Sequence, residues 1–372
     1  GECASRILTG TNDARLIALD ARTGKRCPDF GDGGEVVIYP GMELIWPGEF
    51  QITSPPAIIG DTVIVGSAIS DNVRRVAPRG IVRAFDVRTG EPRWEFDPIP
   101  RAIGDPNWQG DQPPVEGHAN AWGVMSVDEQ RGLVFVPTSS PSPDFYGGAR
   151  HGDNRHANSI VALDAATGTI EWAYQLVHHD VWDYDLPAQP GLYSVWRDGE
   201  AHDVVAQVTK TGHVFVLDRD TGEPFLPVEE VEVSPSDVPG ERLSPTQPIP
   251  AATPRLVPDR IDPDDAFGLT WYDRNDCRQQ LAELIADGLF TPPTVEGTLV
   301  YPFTGGGANW GGSAFDPQRN LLIVNMSSLA HVVQLIPNND VAAAQAAFHG
   351  QELYGTRGSP HGYRRATIMS PF

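Results

Sequence analysis

Four segments of this chain repeat one pattern, an apolar strand running into Asp-x-x-Thr-Gly: LIALDARTG (16–24), VRAFDVRTG (82–90), IVALDAATG (160–168) and VFVLDRDTG (214–222). A repeat constrains the fold more tightly than composition does, because each copy must bury its apolar face against a neighbour of the same kind. The pattern predicts a strand, a tight turn in which glycine supplies positive φ, and a return strand. Two copies continue to a Trp at the same offset, Trp94 after Asp86 and Trp172 after Asp164. A second repeat pairs WGVMSVDEQRGLVFV (122–136) with WGGSAFDPQRNLLIV (310–324). Further β-branched-rich runs bounded by Gly, Pro or Asp lie at 57–68, 204–209 and 294–303. The chain therefore reads as all-β. Hairpin-sized units recurring every 54 to 78 residues predict a β-propeller rather than a sandwich.

Helical interruptions are expected over 276–289, with Asp276 and Gln279 as a capping box, and in the Ala-rich stretch near 340–349. The Pro-rich segment 233–263 reads as a long surface excursion, and no domain boundary interrupts 1–372. The net charge of −22 repels phosphate backbones and anionic lipid headgroups, which argues against a nucleic-acid partner. No run approaches the roughly 20 apolar residues needed to span a bilayer. Cys3 and Cys27 flank a predicted hairpin and read either as a disulfide, in an oxidising compartment, or as two buried thiols. Lysine occurs only at positions 25 and 210, every other cation being Arg.

The densest polar cluster is His178-His179-Asp180-Val181-Trp182-Asp183-Tyr184-Asp185, directly after the Trp172 strand. A turn between blades puts several such side chains at the rim of a propeller's central channel. Ligation of a transition metal is a competing reading, although the spacing matches no zinc motif. Satisfaction of local backbone groups is the plainer one. Lys210, in VTKTGHVFVLD, reads by itself as an exposed turn lysine or as the partner of a carboxylate.

HHDVWDYDLPAQP (178–190) followed by TKTGHVFVLDR (209–219) resembles the active-site stretch of the membrane-bound quinoprotein glucose dehydrogenases, which use pyrroloquinoline quinone (PQQ). The resemblance implies that Asp183 is the catalytic base and that Lys210, 27 residues on, contacts PQQ. It implies a metal role for Asp71 and Asn72 in GSAISDN (66–72) and a place against the PQQ ring for Trp122 in HANAWG (118–123). It also implies a hydroxyl for metal or cofactor from Ser142 in PSPDFYGG (141–148), where the family pattern has Thr. GGGANWGG (305–312) is similar to a glycine-rich segment of PQQ alcohol dehydrogenases, which implies Asn309 and Trp310 at the cofactor. Glycine there allows close backbone approach; packing between blades is the other reading of both tryptophans.

The match runs through nearly the whole chain. The family propeller has eight blades, preceded in membrane-bound members by transmembrane segments. This chain is expected to lack the first blade, the anchor and the last blades, stopping at MSPF (369–372), so membrane contact falls to segments outside it. Open strand edges would then invite pairing with a second copy. The implied activity is oxidation of an aldose, glucose to gluconolactone, with PQQ as hydride acceptor, Ca²⁺ or Mg²⁺ as Lewis acid, and ubiquinone receiving the electrons in the periplasm. No strand leads into GxGxxG, which argues against a nicotinamide site. The rival readings are a PQQ-dependent quinate, shikimate or polyol dehydrogenase and a non-enzymatic propeller scaffold.

Overall fold

The computed structural model describes residues 3–38, 41–102, 104–108, 117–258 and 260–368; the terminal MSPF lies outside them. Antiparallel sheets follow one another along the chain. The first joins Arg6–Gly10, Arg15–Asp20 and Glu35–Val37. The second orders Ala57–Ile59, Thr62–Val65, Val82–Asp86 and Pro92–Phe96, and the third Ser126–Asp128, Leu133–Pro137, Ser159–Asp164 and Ile170–Gln175. Gly191–Arg197, Glu200–Val208 and Val214–Asp218 form the next. A later sheet runs Thr298–Val300, His331–Pro337, His361–Thr367, Glu352–Tyr354, with the last of these at its edge.

The second and third sheets are packed on both faces, and period-2 alternation says why their inner strands, Thr62–Val65 and Leu133–Pro137, are buried throughout. In the second sheet Val63, Val65 and Phe85 pack with Leu16 and Ala18 of the first. Their chain neighbours Ile64 and Ala84 pack with Val134, Val161 and Leu163 of the third. From the third sheet's other face Phe135 and Ala162 meet Val205, Phe215 and Leu217.

The repeated residues each have a physical task. Asp86 Oδ1 accepts from the amides of Arg88 (2.8 Å) and Thr89 (2.9 Å), and Asp20, Asp164 and Asp218 do the same two and three residues on. Asp128 and Asp316 close the second repeat identically. Trp94 Nε1 donates to Ala165 O (3.0 Å) in the next sheet's turn, and Trp172 Nε1 to Arg219 O (3.2 Å) in the one after. A Cβ on Gly168 would lie 2.6 Å from the Trp94 ring, and one on Gly222 2.3 Å from that of Trp172. The Thr-Gly glycine therefore seats the preceding sheet's tryptophan as well as turning the chain.

Three sequence expectations shift. The run 57–68 is a hairpin broken at Gly60, with a short third strand at Ala68–Ile69. The first helix spans Trp271–Ala282, and its capping box is Thr270 with Asp273, not Asp276 with Gln279, because Thr270 Oγ1 accepts from Asp273 N and Asp273 Oδ2 accepts from Thr270 N. The second helix is Val341–Ala347, inside the expected stretch. The Pro-rich excursion leaves from a hairpin, Val228–Glu232 with Thr246–Pro250, but is not all surface. Its Glu241 turns inward to His179. Cys3 and Cys27 are joined, with Cα atoms 5.8 Å apart, which selects the disulfide reading.

Candidate active site

The 178–185 turn splits its side chains by alternation. Asp180, Trp182 and Tyr184 point into protein. Asp180 Oδ2 accepts from Tyr184 N (2.8 Å), Asn158 Nδ2 (2.9 Å) and Ser140 Oγ, while Oδ1 accepts from Trp182 N (2.9 Å). Trp182 and Tyr184 are fully buried, donating to Thr291 O and Pro302 O at 2.8 Å. For Asp180, which accepts from the amides of Trp182 and Tyr184, the reading of local backbone satisfaction describes what the structure shows. The intervening Asp183 and Asp185 face the other way, onto Lys210. Asp183 adopts φ +61°, a left-handed conformation rare outside glycine and concentrated at functional sites.

Lys210 is 5% exposed, so the exposed-turn reading fails. Its Nζ donates to Asp183 Oδ1 (2.9 Å) and Asp183 O (2.8 Å) and pairs with Asp185 Oδ1. Asp185 Oδ2 in turn accepts from Trp122 Nε1, which fixes that indole. Burial raises the Asp183 carboxyl well above its usual value; Lys210 offsets part of that rise, and the charge of Asp185 adds to it. Burial opposes the charge on Lys210, but Asp183 and Asp185 outweigh it and keep the ammonium protonated.

A cavity of about 440 Å³ opens over this group, lined by Asp183, Asp185, Lys210, Trp122, Asp71 and Asn309 among the predicted and neighbouring residues. Thr304, His331 and Arg365, with Asn120, complete its polar lining. Asp71 opens onto the cavity, where crowding by protein and the charge of Asp144 push its carboxyl up to about 7 against the pull of His118. Asn72 stands behind this wall in a reciprocal bond with Asp144: Nδ2 donates to Oδ2 (2.8 Å), and Oδ1 accepts from Asp144 N (3.0 Å). Ser142 is not brought into the lining. Its hydroxyl donates to Arg75 O (2.7 Å) and accepts from Gly117 N (3.0 Å), so it ties backbone segments together. Trp310 is 74% exposed and meets Trp122 edge-on at 6.4 Å. Asn309 bonds Gly305 O at 2.7 Å. The close approach that glycine permits here is to Lys210: a Cβ on Gly306 would lie 2.4 Å from its Cγ, and Gly307 N donates to Lys210 O (2.7 Å).

Sequence reasoning named Asp185 in the cluster without a role, and passed over Asp144 inside PSPDFYGG. It missed Thr304, His331 and Arg365. Thr304 adjoins the glycine run, which was a usable signal; Arg365 comes from a strand 182 residues beyond Asp183, and nothing local marks it.

The donor set suits the implied groups. A buried ammonium, an anchored indole and amide side chains around about 440 Å³ match a planar polar cofactor. Three carboxylates on the lining and Asp144 behind Asp71, against Lys210 and Arg365, offer the oxygen donors and excess negative charge that hard cations require. Among the described residues, the only three His, Cys, Asp or Glu ligand atoms within 4.8 Å of one another belong to Cys3, Cys27 and Asp29, of which two form the disulfide.

Stacked antiparallel sheets, indole-on-turn contacts and a buried Asp–Lys couple in a polar cavity define a propeller of the quinoprotein type. The chain matches the family described as "PQQ: Glucose/ethanol/alcohol dehydrogenase, beta-propeller domain" over residues 1–372, and it belongs to that family. It is 41% identical over 340 residues to the quinate/shikimate dehydrogenase (quinone) of Acinetobacter baylyi, covering 90% of this chain and 42% of that protein. To the quinoprotein glucose dehydrogenase of Escherichia coli it is 37% identical over 387 residues, covering 100% and 47%. The chain thus spans about half the length of these curated relatives. Among solved structures it resembles a europium-containing methanol dehydrogenase with TM-score 0.62 at 22% identity, covering 97% of this chain and 55% of that one, a likeness of fold.

Proposed function

We propose that this chain carries the active site of a PQQ-dependent dehydrogenase that oxidises an aldose, glucose to gluconolactone, and passes the electrons to ubiquinone. The observation that carries the reading is Asp183 Oδ1 at 2.9 Å from Lys210 Nζ on the wall of the cavity. PQQ, when bound, supplies the two-electron, hydride-accepting chemistry that no side chain has. Asp183 is the base that receives the substrate hydroxyl proton; its raised affinity for protons suits that work. Lys210 holds Asp183 in place and brings positive charge to cofactor oxygens, with Trp122 and Asn309 as its other contacts and Trp310 bracing Trp122 from outside.

Asp71 is the carboxylate that would meet Ca²⁺ or Mg²⁺, and Asn72 supports it through Asp144. The Cys3–Cys27 disulfide supports a periplasmic location. A quinate, shikimate or polyol substrate is the second reading, favoured by the 41% identity to the quinate/shikimate enzyme.

Titration with PQQ and Ca²⁺ should give a saturable absorbance change, and glucose should then reduce a dye acceptor. Asp183→Asn should bind PQQ and abolish turnover. Wild-type-like turnover in that variant would remove Asp183 from the role. No PQQ-dependent change at all would favour the non-enzymatic scaffold.

A further inference from the structure

Among the described residues Arg365 is the one Lys or Arg on the cavity wall besides Lys210, and its surroundings direct one edge of it at the base. It lies on the strand His361–Thr367, directly across from Glu352 in the antiparallel register. Its Nε donates to Glu352 Oε2 (3.0 Å) and its Nη2 to Glu352 Oε1 (2.9 Å), a two-point fork that fixes the guanidinium plane. Nη1 is left facing inward, where it donates to Thr304 Oγ1 (2.9 Å) and lies 3.4 Å from Asp183 Oδ2. That last distance exceeds the ~2.7–3.2 Å of a good N–H···O bond. Asp183 Oδ1 is already held by Lys210, so Oδ2 is the oxygen free to take a proton.

A single hydroxyl can satisfy both sides of this loose contact, donating its proton to Asp183 Oδ2 while its oxygen accepts from Arg365 Nη1. His331, behind Thr304, adds no charge at this edge. Thr304 Oγ1 is 3.1 Å from His331 Nδ1, and burial with the neighbouring Arg365 charge pushes that imidazole down to about 4. Arg365 sits between two carboxylates, Glu352 and Asp183, so a third carboxylate brought by a substrate would meet both of them.

We propose that Arg365 binds the reacting hydroxyl oxygen beside Asp183, and that Glu352, by neutralising the outer edge of Arg365, sets the site for uncharged hydroxyl compounds over hydroxy acids. The inference rests on the reading of the site as a PQQ-dependent dehydrogenase.

The test uses the PQQ- and Ca²⁺-loaded protein and compares wild type, Arg365→Gln, Arg365→Lys and Glu352→Gln for PQQ binding by absorbance and for kcat/KM on glucose and on quinate. Arg365→Gln should bind PQQ as wild type does and lose about ten- to a hundredfold in kcat/KM on glucose, with Arg365→Lys recovering part. Glu352→Gln should shift the quinate-to-glucose ratio toward quinate by about tenfold. A wild type that binds no PQQ overturns the functional reading and this proposal with it. A wild type that binds PQQ and turns over glucose, with variants that leave both the rate and the ratio unchanged, overturns this proposal alone. Should Arg365→Gln fail to fold, the ratio in Glu352→Gln decides: unchanged, it overturns the selectivity argument.

Discussion

Lys210 grips Asp183 twice, through the carboxylate at 2.9 Å and through the backbone carbonyl at 2.8 Å. The second bond matters because Asp183 sits at φ +61°, a conformation that needs an external hold. Lys210→Met keeps the volume of the stem and removes the charge, leaving Asp183 and Asp185 buried without their partner. Breaking a buried pair from one side costs about 3–5 kcal/mol. Denaturant unfolding should show a loss of that order, and PQQ affinity should fall in the same variant.

A second prediction concerns pH. The Asp183 carboxyl is raised above its ordinary value, chiefly by burial, and a base must be unprotonated to act. In the loaded protein kcat/KM should climb with pH, and its acid limb should lie above the usual carboxylate range near ~4. The stability sign is the reverse. A carboxyl whose folded pKa exceeds its unfolded one contributes stability that is complete below the unfolded value and is lost as pH rises through the folded one. Asp183→Asn should therefore flatten that part of the melting temperature's fall with pH while remaining inactive. An unchanged pH dependence of melting would count against the assignment.

Gly306 tests whether the glycine run serves Lys210. At φ +83°, with a new Cβ 2.4 Å from Lys210 Cγ and 2.7 Å from its Cα, Gly306→Ala must push the lysine or the loop away. The variant should lose at least about 1 kcal/mol and bind PQQ more weakly. Gly132→Ala is the control, since Gly132 has φ +70° but nothing within 4 Å of the added Cβ. It should carry the backbone penalty and leave PQQ binding alone.

The repeats made the sheets and their turns legible, because Asp, Thr and Gly each satisfy a local requirement that recurs at fixed spacing. The capping box of the first helix was misplaced for a related reason: Asp276 and Gln279 have a capping spacing, but Thr270 and Asp273 make the bonds. At the site, Asp183, Asp185 and Lys210 were visible as an unusual cluster and a rare lysine. Their convergence follows from the family resemblance and from the reading of Lys210 as a carboxylate's partner, and not from the local pattern, since Asp183 and Lys210 lie 27 residues apart. Arg365 was invisible because its meaning depends on a strand pairing that places Glu352 opposite it. Ser142 shows the converse. A hydroxyl at a suggestive position was committed to backbone atoms that only the folded chain brings near.

Asp180 and Asp183 lie in the same turn and should fail in different ways. Asp180 is 1% exposed, and its two oxygens accept from Ser140, Asn158, Trp182 and Tyr184. Burial raises its carboxyl, and those donors, with the charge of Arg150, work against that rise. Asp180→Ala strands several buried donors at about 1–3 kcal/mol each, so the variant should lose at least about 3 kcal/mol or fail to accumulate as folded protein. Asp183→Asn keeps an acceptor for Lys210 and faces the cavity, so on the acid side of the Asp183 titration its melting curve should stay near wild type while turnover vanishes. Measuring both by thermal unfolding and dye reduction separates a carboxylate that builds the turn from one the turn was built to present. Equal losses of stability in the two variants would undo that distinction.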